Sequence, residues 1–365
     1  MKIICYINRL CDGGAERVMS VLANGLARRE HQVTVVTEYC SPNDYALDAN
    51  VRRVILEGAF SGPSTRGRIA RTIKRIVKLR SLCKKEQANI VISFMEDANS
   101  RAIFATKFLK TKNLISIRID PEVLLKNRTK RIQLTLIDPM ANGCVFQTQK
   151  AKLALPIRLQ RKSKVIFNPV SDVFFETTHA AMQENRIVAC GRLEKQKRFD
   201  LLIDAFDKVC DEFPDYRLEI YGVGALQQQL QTQIDSLGRQ DRIRLMGRSE
   251  DIPDMIKTAS LFVLSSDFEG LPNALMEAMV LGLPVVSTDC GGGGARALVE
   301  DGVDGILVPV NDVDALADAI RNTLADPDAA KLRGKKASEK AKGFSAENVV
   351  AQWEAYIKQI VGNNT

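Results

Sequence analysis

Two histidines, one tryptophan and 6% aromatic residues in a chain of 365 leave several kinds of chemistry short of material. His31 and His179 are too few for most metal constellations or for an evident Ser-His-Asp triad. Aromatic and basic residues do not interleave, and no nucleic-acid motif is present, which argues against a nucleic-acid-binding module. The eight cysteines, at 5, 11, 40, 83, 144, 190, 210 and 290, contain no C-x-x-C and no paired spacing. That scatter points to a reducing compartment and away from a disulfide framework or a cysteine zinc site. No apolar run reaches the roughly 18 residues of a membrane span, and the apolar start before Arg9 is too short for a signal peptide. The expectation is a cytoplasmic protein.

What remains is enough for two cores. Apolar residues make up 45% of the chain, and at about 150 residues per domain this length gives roughly two domains. The net charge of +8 is divided unevenly: residues 1–170 hold 31 basic and 13 acidic side chains, residues 171–365 hold 21 and 31. Only the front half is suited to meet a polyanion, with nucleic acid, a phospholipid surface and a diphosphate substrate all open.

Short β-branched runs alternate with amphipathic helical stretches. Strands are expected at 2–8, 33–37, 90–94, 114–118 and 144–147, then at 186–190, 217–221, 243–246, 260–265, 285–288 and 306–308. Helices are expected at 15–29, 199–212, 225–236, 272–281 and 313–325, with a linker within 165–185. Apolar strands alternating with helices predict two doubly wound parallel sheets, whose ligands bind in loops beyond the carboxyl ends of strands.

Three such loops carry chemistry. The first is Asp12-Gly13-Gly14-Ala15-Glu16-Arg17. Paired glycines admit a ligand close to the backbone and a helix start offers N–H groups to an anion; a tight turn without a ligand is the plain alternative. The pattern is not the dinucleotide G-x-G-x-x-G, so hydride transfer loses its main support. The second loop runs from Gly191 to Lys197, where Arg192 and Lys197 can converge on one diphosphate as a fork and a point charge, or form a solvated basic turn. The third runs from Phe268 to Glu277, with Pro272 suited to a first helical turn. Glu269 and Glu277, eight residues apart, fall about 80° apart around a helix axis. They do not form a stacked carboxylate pair, which argues against a two-carboxylate glycosidase and suits contacts to two parts of an elongated ligand.

In this order and after these strands, the loops resemble those of the retaining family 4 glycosyltransferases of GT-B fold, over nearly the whole chain. Glu269-x7-Glu277 is the most specific element, supported by Gly191-Arg192-x4-Lys197, Gly13-Gly14-Ala15-Glu16-Arg17, Gly282-Leu283-Pro284 and Asp301-Gly302-x-Asp304-Gly305. The resemblance implies an α/β protein of two Rossmann-like doubly wound domains with an interdomain cleft. Residues 1–170 would bind the acceptor and residues 171–345 the nucleotide sugar, with a helix in 346–365 packing back toward the first domain.

It also implies roles. Arg192 and Lys197 would hold the donor diphosphate, Glu269 the sugar hydroxyls, and Glu277 the ribose. The amides of Gly270, Leu271 and Asn273 would lie near sugar and phosphate, and Gly222, Gly224, Gly247 and Ile252 on the base-binding side. Gly13 and Gly14 would face donor phosphate and acceptor. Arg118 matches a position where many members carry histidine, and completes a catalytic set with Arg192, Lys197 and Glu269. The subfamily is similar to bacterial polysaccharide and lipid-linked oligosaccharide transferases such as polyprenyl-diphosphate-linked N-acetylgalactosaminyltransferases. The implied donor is a UDP-sugar (GalNAc, Gal or GlcNAc) and the implied acceptor a polyprenyl-diphosphate-linked saccharide. Retention would proceed without a metal or other cofactor, at the anionic cytoplasmic face of the inner membrane.

The stretch 66–85 underlies the membrane expectation. Ile69, Ile73, Ile76, Val77 and Cys83 gather on one helical side, and Arg71, Lys74, Arg75, Lys78 and Lys85 on another. The cations would meet the acceptor diphosphate or anionic headgroups; an ordinary solvated helix is the alternative. A nucleotide-sugar epimerase of the same architecture is the rival enzyme, and a nucleic-acid-binding protein the more distant one.

Overall fold

The computed structural model describes all residues except 12, 60–66, 120, 178–183, 250 and 363–365. Asp12, Arg66, Asp120 and His179 thus lie outside the described residues. The chain forms two units, Met1–Pro169 with Ala346–Thr365, and Val170–Ser345.

In the first unit, seven parallel strands are β1 (Lys2–Ile7), β2 (Gln32–Cys40), β3 (Arg52–Ala59), β4 (Ile90–Phe94), β5 (Lys112–Ile117), β6 (Gly143–Phe146) and β7 (Ser163–Val165). Their order is β3-β2-β1-β4-β5-β6-β7. Alternate residues of these apolar runs bury on opposite faces, as both sides of the sheet are covered. Ile3, Cys5, Ile92, Leu114 and Val145 pack under the helices Gly14–Arg28 and Ala346–Gly362. Ile4, Tyr6, Val91, Ile115 and Phe146 pack under a second helical layer, which includes Arg68–Glu86, Glu96–Thr106 and the short helices of 121–160.

In the second unit, β8 (Glu184–Cys190), β9 (Arg217–Tyr221), β10 (Ile243–Gly247), β11 (Ala259–Leu264), β12 (Val285–Thr288) and β13 (Ile306–Val308) are ordered β10-β9-β8-β11-β12-β13. The helices Phe199–Asp207 and Val313–Ala325 bury Leu202, Phe206, Leu316 and Ile320 against it. Both units are the doubly wound α/β sheets expected. The predicted linker contains a short helix, Asp172–Glu176, before β8 begins. Among the described residues no helix is long and apolar enough to cross a membrane.

Two strands escaped the sequence pattern. In β3, Arg52, Arg53 and Glu57 interrupt the apolar run because the strand lies at the sheet edge, where one side needs no partner strand. The other edge, β7, is only three residues long.

The π-helix Gln133–Ile137 leads into Asp138, whose side chain is fully buried. Neither carboxylate oxygen has a hydrogen-bond partner, and the neighbouring Gln133 amide donates instead to the Glu96 carbonyl. Burial, reinforced by the Glu96 carboxylate, lifts Asp138 from 3.8 to about 7 despite the opposing pull of Gln133 and Lys130. An acid raised in this way stabilises the fold below its ordinary pKa, and that contribution is lost as pH climbs to its folded value. Asp138→Asn is therefore expected to raise the melting temperature at pH 8 by about 4 °C or more, and by a smaller amount at pH 5, where only part of the contribution has been lost. Paired melting curves at the two pH values check this; an unchanged value at pH 8 contradicts it.

Candidate active site

Five neighbouring strands of the second unit, β10, β9, β8, β11 and β12, send their carboxyl ends toward one edge of the sheet. The loops that follow hold all the expected donor residues. After β8, the chain turns through Gly191 and Arg192 into the single turn Lys195–Lys197. Its backbone is tied to the next loop, with Gly191 N–H donating to Tyr221 O at 2.9 Å and Leu193 N–H to Val223 O at 3.0 Å. So close are these loops that a Cβ on Gly222 would lie 1.8 Å from Gly191 O, and one on Gly224 2.5 Å from Leu193 O. Gly222 also sits at φ +145°. Packing between the loops therefore requires these glycines, whatever else they line.

Lys197 and Glu269 are 72 residues apart in sequence and meet at 2.6 Å. The meeting is built from both sides. Ser266 Oγ donates to the same Glu269 oxygen at 2.9 Å, Ser265 Oγ to Lys197 O at 2.7 Å, and Gln196 Nε2 to Phe268 O at 2.7 Å. Arg192 stands apart, two-thirds exposed, with Glu194 at 3.1 Å. One cation is thus pre-positioned on a carboxylate while the other reaches into solvent. Gly270 is half-buried, Leu271 is buried, and Asn273 opens the helix Asn273–Val280 directly after Pro272.

Glu277 is buried on that helix, and its carboxylate lies near enough to Cys190 to help raise the thiol, after burial itself. Cys290 is pushed up to about 12, first by burial and then by Glu269. Burial and a nearby carboxylate thus both disfavour the thiolate at these two cysteines. Gly247, at φ +73°, ends β10, and Ile252 opens the helix Ile252–Ile256 after it; Val223 and Met246 are exposed. Among the described residues, no group of three His, Cys, Asp or Glu side chains could hold a metal ion.

The first unit presents its own carboxyl edge. Gly13 caps the helix Gly14–Arg28, and Arg118 follows β5. The Arg118 guanidinium is buried 4.4 Å from the centroid of the Phe94 ring; it donates to Ser116 Oγ at 3.4 Å and to Asn168 Oδ1. Burial pulls it down to about 9, with Glu16 pulling the other way, so it stays charged at neutral pH.

The helix Arg68–Glu86 is turned differently from the sequence expectation. Arg75 does not stand on an outward positive face: it lies between Glu38 and Glu57, at 2.8 Å from each, and over the Tyr39 ring. Arg71 is half-buried near Glu57, and Lys78, although exposed, donates to Leu56 O. Lys74 and Lys85 are displayed as expected. The buried side is carried by Leu79 and Cys83, while Ile69, Ile73 and Val77 face out. Arg75 is thereby removed from the acceptor-facing set.

Two features had gone unread. The run Gly291–Gly294 follows β12, and Gly291 bonds the backbones of both Asp267 and Glu269. Four consecutive glycines after a strand were the available signal. In the first unit, Arg101 joins Glu38, at 2.6 Å, to Tyr6 and Asn8, fixing the loop that leads to Gly13. Its members are scattered along the chain, and nothing local marks them.

The family described as "Glycosyl transferases group 1" matches residues 171–342. "Glycosyltransferase Family 4" matches residues 12–118. A Campylobacter jejuni protein is 28% identical over 366 residues, covering 99% of each chain: the GalNAc-alpha-(1->4)-GalNAc-alpha-(1->3)-diNAcBac-PP-undecaprenol alpha-1,4-N-acetyl-D-galactosaminyltransferase. A second Campylobacter jejuni protein, the N-acetylgalactosamine-N,N'-diacetylbacillosaminyl-diphospho-undecaprenol 4-alpha-N-acetylgalactosaminyltransferase, is 25% identical over 77% of this chain and 79% of its own. Among solved structures, HepE of Anabaena in complex with UDP aligns with a TM-score of 0.81 at 20% identity, over 98% of this chain and 100% of that one. Sucrose-phosphate synthase from Thermosynechococcus elongatus aligns at 0.86 and 18%, over the full length of both.

Proposed function

The chain belongs to the family 4 glycosyltransferases of GT-B fold, and from that premise we propose that it moves a sugar from UDP to a polyprenyl-diphosphate-linked saccharide with retention of configuration. The observation that carries the reading is the Lys197–Glu269 pair, with the exposed Arg192 on the same loop as Lys197, at the carboxyl edge where nucleotide ligands bind in such sheets. Two cations there suit a diphosphate leaving group. Glu269, held by Lys197 and Ser266, keeps acceptor capacity for sugar hydroxyls. The buried Glu277 suits the ribose hydroxyls, and Val223 and Met246 the flat ring face of the base. The relatives named for undecaprenol-linked acceptors, together with the UDP bound in HepE, favour this donor and acceptor.

In the proposed step, the bond between the anomeric carbon and the diphosphate oxygen breaks. The acceptor oxygen bonds to that carbon on the same face, and its proton passes to the departing phosphate oxygen. Negative charge grows on the leaving group, and Lys197 and Arg192 are the cations that would neutralise it. Arg118, a buried cation in the first unit, is the further candidate to meet phosphate charge.

The test incubates the purified chain with UDP-GalNAc, UDP-Gal or UDP-GlcNAc and a short polyprenyl-diphosphate glycan. An α-linked product by NMR, formed equally in EDTA, is the expected result. A β-linked product overturns retention, dependence on added metal overturns the two-cation reading, and free epimerised UDP-sugar favours the epimerase.

A further inference from the structure

Directly after Lys197 the backbone turns left-handed. Arg198 lies at φ +48° and ψ +43°, closing the turn Lys195–Lys197 and opening the helix Phe199–Asp207. A Cβ makes this conformation costly, and glycine is the usual residue where a helical turn ends this way. An arginine there is held by its surroundings. Its Nε donates to both carboxylate oxygens of Asp200, at 3.1 and 3.2 Å. Its Nη1 donates to Asp267 Oδ1 at 3.1 Å and to Asn311 Oδ1. Asn311, in the loop after β13, is itself at φ +60°. Among the described residues of the second unit, these two are the non-glycine positions with positive φ, and their side chains meet. One guanidinium thus ties together the loops after β8, β11 and β13.

The acids met from the loop after β8 are near neighbours as well. Lys197 takes Glu269 and Arg198 takes Asp267, so two consecutive cations hold two carboxylates of one facing loop. The backbone joins the same two loops, with Asp267 N–H donating to Gln196 O at 2.9 Å. A single ion pair on a flexible lysine stem leaves the ammonium free to swing. Two pairs and a backbone bond fix the register of one loop against the other. Arg198 does not add a third cation for a diphosphate, because Asp200 and Asp267 already balance its charge.

We propose that Arg198 is a positioning residue: strapped to Asp267 and Asn311, it holds the left-handed bend that sets Lys197 against Glu269. A cation stabilises a leaving group best when it is in place before the charge develops. A side chain as long as lysine's has many rotamers to lose in getting there, and a fixed bend at the next residue removes part of that freedom. The contact that Arg198 fixes belongs to the protein without ligand; only its use toward a diphosphate rests on the proposed function.

The experiment labels the full chain with an acetylating N-hydroxysuccinimide ester and follows each lysine by mass spectrometry. In Arg198→Gly, relief of the backbone strain offsets the lost surface contacts, so the melting temperature should change little. Lys197 should nevertheless be labelled about threefold faster or more. Lys257 and Lys340, ion-paired elsewhere in the same unit, should keep their rates. Asp267→Asn, which cuts the strap from the other side, should speed Lys197 in the same direction. Calorimetry with UDP then asks whether the two residues act as one. Arg198→Gly should weaken UDP binding about fivefold, and weaken it no further in a Lys197→Ala background. An unchanged Lys197 labelling rate, or equal losses of UDP affinity in both backgrounds, overturns the proposal. So does a general rise in lysine labelling, which would make Arg198 a staple of the fold only. If Lys197 labelling follows expectation but the wild-type chain binds no UDP, the donor reading fails and the positioning role stands.

Discussion

Alanine at Lys197 is expected to lower turnover about 10²-fold, and alanine at Arg192 to lower it at least tenfold, with the fold intact in both. In the proposed step each cation would face charge that grows as the diphosphate departs, so its removal should act on turnover more than on the folded protein. Arg192 is two-thirds exposed, and its one described contact is to Glu194, so truncation leaves nothing buried unpaired. Lys197 is expected to be the larger loss because, besides the proposed role toward the leaving group, it is the partner of Glu269 at 2.6 Å. Ser266 still donates to that carboxylate, which keeps the loop in place. Steady-state rates at saturating donor, beside melting curves for both variants, make the check. Near-wild-type turnover in either variant removes it from the catalytic set.

The second large effect concerns stability. Trp353→Ala is expected to cost about 3–5 kcal/mol. Trp353, the single tryptophan of the chain, is 1% exposed and lies 5.6 Å from the Phe94 ring, where the last helix crosses the first sheet. Val349, Val350, Tyr356 and Ile357 belong to the same core. The helix seats closely: a Cβ on Gly25 would lie 2.6 Å from Val350 Cγ2. Glu354 fixes its outer side to His31 at 3.0 Å and Arg29 at 3.3 Å. Removing the indole leaves a cavity that this rigid contact cannot close. The first unit should melt about 6 °C or more lower, while UDP binding by calorimetry at 20 °C is retained, because the proposed donor residues lie in the other unit. Loss of both together would mean the units do not respond separately.

The doubly wound sheets were legible because buried parallel strands have no choice but continuous apolar runs, as in Lys2–Ile7 and Ile90–Phe94. Edge strands escape that compulsion, which is why Arg52–Ala59 was not read. The helix Arg68–Glu86 shows a different limit. Helical periodicity tells which residues share a side, but this helix has two apolar sides, one with Leu79 and Cys83 and one with Ile69, Ile73 and Val77. Only the sheet beneath it decides which is buried. Arg75 then went inward because two carboxylates, Glu38 and Glu57, from strands β2 and β3, were waiting for it. At the site, the places of the loops after their strands were legible by resemblance. The Lys197–Glu269 contact and the Gly291 bonds arise where separate loops meet, and no local pattern announces them.

The path of the chain through its units also sets an order of assembly. The first unit opens with Met1 but is closed by Ala346–Thr365, and everything from Val170 to Ser345 is synthesised in between. On the ribosome, the first sheet emerges with the slot for Trp353 unfilled, and it waits while the whole of the second unit is made. The part begun first is thus completed last. For the length of that interval, the apolar floor of Ile3, Cys5, Ile92 and Leu114 lacks one of its two covering helices, so a nascent chain stalled before residue 346 carries one finishable unit and one unfinished core.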